Sequence, residues 1–220
     1  MRGLVVLPHP DQPVDGHLDH LRVDPRPQRA GQRLRRRHRF RRDLKIGRDL
    51  GLDRSYSDFR EMARAEAARE DGIRAVSVVT PNHLHAAVAT AFLDAGIHVI
   101  CDKPLAATAG QAQAIADAAA RSTARLFLTH NYCAHPMVRE ARAIVAEGGI
   151  GDLRLVQAEF LQGWLADDTR SKQADWRTDP QMAGAGAIGD IGTHAWQLAA
   201  FVTGQVPDRI SADLSSMVAG

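Results

Sequence analysis

Lysine is almost missing from this chain: three residues of 220, against 25 arginines. Aromatic residues make up 5%, and cysteine occurs only twice, at Cys101 and Cys133. So few cysteines exclude a disulfide-stapled scaffold, and two thiols at the ends of apolar runs read as reduced groups of a cytoplasmic protein. No apolar run reaches the ~20 residues that a membrane-spanning helix needs. No basic-then-apolar signal segment opens the chain. The first fifty residues also lack any G-x-G-x-x-G turn, the backbone device that cradles a dinucleotide pyrophosphate.

What is present is unevenly distributed. Residues 1–50 hold twelve Arg and one Lys against six Asp, a net of +7, and five of the ten prolines. Residues 51–220 carry a net of −5. The break marks residues 1–46 as an atypical Arg/Pro-rich segment, either disordered or translated from a shifted frame of a GC-rich gene. Within it Leu4–Leu7 is the one short apolar stretch, and Arg29–Arg42 has no apolar face.

From about residue 47 the pattern becomes regular α/β. Helices are expected over Tyr56–Ala68 with Ser57 or Asp58 as cap, His83–Asp94 ending at Gly96, Thr108–Arg121, and Pro136–Glu147 ended by Gly148-Gly149. Strands are expected over Ile73–Val79, Ile97–Cys101 and Arg125–Thr129. This alternation predicts an incomplete doubly wound parallel sheet over residues 47–135. After Gly151 the rhythm changes, with strands expected over Leu153–Leu161 and Arg209–Val218 and a helix over Asp190–Val202 ending at Gly204. Residues 136–220 therefore read as a second, truncated α/β unit.

Four clusters could carry chemistry. Thr80-Pro81-Asn82-His83-Leu84-His85 follows a predicted strand, where Thr80 or Asn82 could equally cap the next helix. Asp102-Lys103-Pro104 follows another, at the edge where open α/β sheets bind ligands. There an ammonium beside a carboxylate could hold a ribose hydroxyl or a reacting oxygen, or form a plain surface pair. Asp190 and His194 stand four apart, which on a helix lets the carboxylate orient the imidazole. Two such groups without a third are a weak metal site, and no metal is assigned. The Arg29–Arg42 run could contact phosphates, but it has only Phe40 for stacking.

Taken in order, these clusters resemble the Gfo/Idh/MocA family of NAD(P)-dependent oxidoreductases. The matching stretches are Ala75–His85, Gly96–Leu105, Gly148–Gly151, Trp176-Arg177 and Gly186–His194, spanning roughly residues 49–220. The resemblance implies a Rossmann-type domain followed by a substrate and oligomerisation domain with a mostly antiparallel sheet. It also implies a homo-oligomer and hydride transfer between NAD or NADP and a hydroxyl-bearing carbon of a sugar or polyol. By motif, Lys103, Asp190 and His194 would be catalytic, with His194 as the acid/base. Thr80, Pro81, Asn82, His85, Asp102, Lys103 and Pro104 would line the cofactor. Asn131, Trp176 and Arg177 would join Lys103, Asp190 and His194 around the substrate. Asp102 stands where the family usually has glutamate, and the arginine common near residues 131–135 is absent. The family's first βαβ, with its glycine turn, has no counterpart in residues 1–48.

Two other readings use the same residues. One is a non-catalytic protein that recruits nucleic acid through its arginine segment. The other is a misfolding product with exposed sheet edges.

Overall fold

A computed structural model of the chain describes residues 4–7, 54–163, 174 and 177–215. The Arg29–Arg42 run and Trp176 lie outside these described residues. Leu4–Leu7 pairs as strand β1, followed by β2 (Ala75–Val78), β3 (His98–Cys101) and β4 (Leu126–Leu128). All neighbours are parallel and the order is β1-β2-β3-β4. The register sets Leu7 beside Val78 and Val78 beside Cys101, so the strands end at one edge.

The helices start and stop where local chemistry dictates. Helix α1 (Phe59–Ala67) is capped by Asp58, whose Oδ1 accepts from Arg60 N at 2.8 Å and Glu61 N at 2.9 Å. Helix α2 (Asn82–Asp94) follows β2 and runs out at Gly96, whose φ of 74° suits glycine. Helix α3 (Ala109–Arg121) takes its cap from Thr108. Helix α4 (Pro136–Ala146) begins with a proline, whose missing N–H costs nothing in the first turn.

The core lies between β2, β3 and helices α2 and α3. Val76, Val78, Val99, Phe92, Leu93 and Ile115 are all sealed there. Burial alternates along β2 and β3, so the opposite face, with Ser77 and Ile100, is only partly covered among the described residues. Near the start of β2 sits one buried carboxylate, Glu66. It accepts from Arg54 Nε at 2.8 Å, Tyr56 Oη at 2.7 Å and the Ile73 amide at 3.1 Å, fastening α1 to the entry of β2. Burial pushes this carboxyl up, but the Arg54 and Tyr56 bonds outweigh it and hold the group below its ordinary value.

Beyond Gly151 the described residues form no strand. A short turn of helix, α5 (Pro180–Ala183), leads to a π-helical turn (Ile188–Gly192) and then α6 (Thr193–Thr203), closed by Gly204 at φ 70°. Residues 153–161, expected as a strand, carry no regular secondary structure, with Leu155 83% and Leu161 88% exposed. Residues 209–215 are likewise irregular, and 216–218 lie outside the described residues. A strand needs a hydrogen-bonded neighbour. Neither segment has one among the described residues.

Candidate functional site

The carboxyl ends of β2, β3 and β4 converge on one edge, and the chain after α5 folds over it. At the end of β3, Asp102 turns its Oδ1 to the Lys103 amide at 2.9 Å and to Thr129 Oγ1, at the end of β4, at 2.7 Å. The Lys103 side chain is thereby released towards the π-helical turn. Its Nζ donates to the Asp190 carbonyl at 2.6 Å and to Asp190 Oδ1 at 2.9 Å. Arg177 Nε stands 3.5 Å from the second carboxylate oxygen. Lys103 and Asp190 are mostly screened from solvent, at 18% and 25% side-chain exposure. This is not a surface ion pair.

Glycine makes the approach possible at one point. Gly184 has φ 75°, and a Cβ there would overlap the Ala107 backbone, so only glycine lets the 180s segment pass the β3 loop. At Gly189 a Cβ would stand 3.8 Å from Pro104 Cγ, so the π-helical turn passes close to the β3 loop.

His194, the first turn of α6, is buried with 7% exposure. Tyr132 lies 4.5 Å from it ring to ring, Phe160 at 6.0 Å and His130 at 6.3 Å. Burial pushes the imidazole below its ordinary value, and the Lys103 charge and His130 act the same way, while Asp190 and Asp102 oppose them. The ring is thus held neutral and able to accept a proton. The expected orienting bond from Asp190 is not formed. The carboxylate goes instead to Lys103 and Arg177.

The remaining expected site residues divide. Neither Thr80 nor Asn82 caps α2: Pro81 is the N-cap position, without a side-chain bond. The Asn82 amide instead donates to the Ala183 carbonyl at 2.9 Å, linking the two halves of the site. Thr80 Oγ1 is sealed without a partner at the end of β2. Pro81 and His85 are fully buried, and Pro104 carries the cis Lys103–Pro104 bond. Asn131 opens an exposed 3-10 turn beside His130 and Tyr132. Thr129, His130, Tyr132 and Phe160 were missed from sequence. The rule that ligands gather at strand ends would have pointed to Thr129 and His130, since they follow β4 directly. No group of three His, Cys, Asp or Glu among the described residues could hold a metal.

Comparison with known proteins settles the family. Residues 36–130 match the model of an oxidoreductase family with an NAD-binding Rossmann fold, GFO_IDH_MocA, and residues 138–220 match the GFO/IDH/MocA C-terminal domain. The chain belongs to the Gfo/Idh/MocA family. Levoglucosan dehydrogenase of Pseudarthrobacter phenanthrenivorans is 35% identical over 171 residues, covering 78% of this chain and 42% of that protein. An oxidoreductase from Sinorhizobium meliloti superposes with a TM-score of 0.65 at 48% identity, over 74% of this chain and 42% of that one. An inositol dehydrogenase homolog complexed with NAD+ from Azotobacter vinelandii gives 0.70 at 38% identity, over 74% and 43%. The chain spans less than half the length of the curated relatives it matches. No helix among the described residues is long and apolar enough to cross a membrane.

The residues suit one end of a nicotinamide dinucleotide. An orphaned Thr80 hydroxyl, Asp102 and Lys103 gather at the carboxyl ends of β2 and β3, the edge where open α/β sheets bind ligands. The pyrophosphate end is different: the sequence after β1 runs Pro8-His9-Pro10 and supplies no glycine turn.

Proposed function

We propose that this chain carries the catalytic side of an NAD(P)-dependent dehydrogenase acting on a hydroxyl-bearing carbon of a sugar or polyol. A bound nicotinamide would supply the hydride acceptor. Lys103 would hold the substrate hydroxyl and the nicotinamide ribose. His194, neutral in its aromatic pocket, would take the hydroxyl proton as the carbon–hydrogen bond breaks and the carbonyl forms. Asp190 would fix the Lys103 ammonium and bind a second substrate oxygen together with Arg177, while Thr80, Asn82 and Asp102 would meet the cofactor. Asn131 and Trp176 would complete the substrate wall.

The observation that carries the reading is the Lys103–Asp190 contact of 2.9 Å beside a buried His194. The levoglucosan and inositol dehydrogenases among the relatives suggest the substrate class. We further propose three units: residues 1–46, a cofactor domain over 47–135, and a substrate domain over 136–220 whose antiparallel sheet forms a homo-oligomer in the cytoplasm. The nucleic-acid reading gains nothing from the family found.

Two assays test this. Titration of NADH and NADPH fluorescence should show binding weaker than micromolar, because the pyrophosphate cradle is missing. Micromolar binding would contradict that. At saturating cofactor, nicotinamide absorbance should report oxidation of levoglucosan or inositol. Lys103→Met and His194→Gln should each lower turnover by about 10²–10⁴-fold, the usual range for loss of acid–base catalysis. Wild-type turnover in both variants would remove them from the chemistry.

A further inference from the structure

The ring of His130 bonds nothing among the described residues, although it sits at the centre of the site. Its Nδ1 is sealed from solvent and has no hydrogen-bond partner. Buried polar groups in folded proteins are nearly always bonded, so one left bare calls for a reason. Packing does not supply it, since Leu or Phe would fill the same space without desolvating two nitrogens. The other ring nitrogen, Nε2, also lacks a partner but is not sealed, which makes it the atom a ligand can reach.

The fold nevertheless holds this ring in place. His130 directly follows Thr129, whose hydroxyl is locked onto Asp102. Its own amide donates to the Leu128 carbonyl at 2.9 Å, and its carbonyl accepts from the Cys133 amide at 3.3 Å and the Cys133 thiol at 2.8 Å. The ring meets that of His194 edge-on, with 6.3 Å between centroids. Burial and the Lys103 charge both push the His130 imidazole below its ordinary value, so it stands neutral beside the ammonium. A neutral imidazole offers one N–H and one lone pair, and a hydroxyl both donates and accepts. A hydroxyl is therefore a ligand group that Nε2 takes in either tautomer.

We propose that His130 is a substrate-contacting residue that selects for polyols: its Nε2 bonds a second hydroxyl while His194 takes the proton of the reacting one. This rests on the dehydrogenase reading above. The two rings are close enough for one small polyol to touch both, and the Lys103 charge acts on each of them. An alcohol with a single hydroxyl leaves His130 bare. A site that holds an unpaired polar group for a hydroxyl discriminates against analogues lacking it more strongly than an apolar wall does.

The test follows both rings at once in the full-length chain labelled with ¹⁵N-histidine, at saturating NADH. His130 is assigned by the signal lost in His130→Phe and His194 by the signal lost in His194→Gln. Myo-inositol or levoglucosan should move the ring-nitrogen signals of both residues. Cyclohexanol, with one hydroxyl, should move His194 and leave His130 in place. A polyol response at His194 with His130 unmoved would overturn the proposal and leave the dehydrogenase reading standing. Equal responses of His130 to cyclohexanol and to the polyols would also overturn it. No response at either ring would overturn both readings together. In His130→Phe, which keeps a ring but removes both nitrogens, the polyol concentration at half-maximal His194 response should rise about tenfold, as expected for one lost hydrogen bond. An unchanged midpoint would contradict the contact. If the variant does not fold, the wild-type titration, with His130 assigned by sequential connectivity, still decides.

Discussion

Residues 75–128 and the segments after Gly151 both carry apolar runs, yet only the first set is buried. In the sheet, Val76 and Val99 are 0% exposed, each packed under α2 and paired on both sides. In the later segments Leu155, Val206 and Ile210 stand 74% exposed or more. The difference is one of partners, not composition. A strand is stable when its ladder is satisfied and one face is covered, and periodicity supplies neither by itself. The candidate site lies on the seam, with Lys103 anchored in the packed half and Asp190 and His194 brought by the half with fewer partners.

Substitutions that separate the two halves follow from this. Phe92→Ala, in the sealed core, should cost about 3–5 kcal/mol and unfold the parallel sheet, read by chemical denaturation. A loss under about 1 kcal/mol would mean that the core is loosely packed. Glu66→Ala should cost roughly 1–3 kcal/mol, because the Tyr56 hydroxyl and Ile73 amide lose their buried acceptor. Leu155→Ser and Val206→Ser should fall within about 0.5 kcal/mol of wild type, since both side chains already face water. A cost near that of Phe92→Ala would show that these segments are packed in solution after all.

Glu66 also gives a pH test. Its carboxyl is lowered in the folded chain relative to an ordinary glutamate at 4.5. Its contribution is therefore complete above about pH 4.5 and lost as pH falls through the lowered folded value. Denaturation midpoints of wild type and Glu66→Gln should converge on acidification and separate above it. A gap constant with pH would assign the effect to shape alone.

The sequence pattern carried the packed half well. Helices α1, α2, α3 and α4 start within three residues of expectation because Asp58, Pro81, Thr108 and Pro136 are local signals. The family resemblance, not the pattern itself, grouped Lys103, Asp190 and His194, and the structure sets Lys103 against Asp190. The pattern could not show that Asp190 would bond Lys103 rather than His194, because a contact between residues 87 apart in sequence is set by how the chain after α5 folds over the sheet edge, which no local pattern encodes. Nor could it find Phe160, which reads as part of a strand yet becomes an aromatic neighbour of His194. Leu4–Leu7 shows the converse: four apolar residues in an unpromising context still pair with β2.

The central claim is that Lys103, Asp190 and His194 form one electrostatically coupled unit across the seam. The most direct test follows the His194 ring by NMR through a pH titration, in wild type and in Lys103→Met. Burial, the Lys103 charge and His130 depress His194, and Asp190 opposes them. The account predicts a wild-type midpoint below the ordinary histidine value of 6.5. Removing the ammonium should raise it. A midpoint at or above the ordinary value in wild type, or one that does not move in Lys103→Met, would contradict the account.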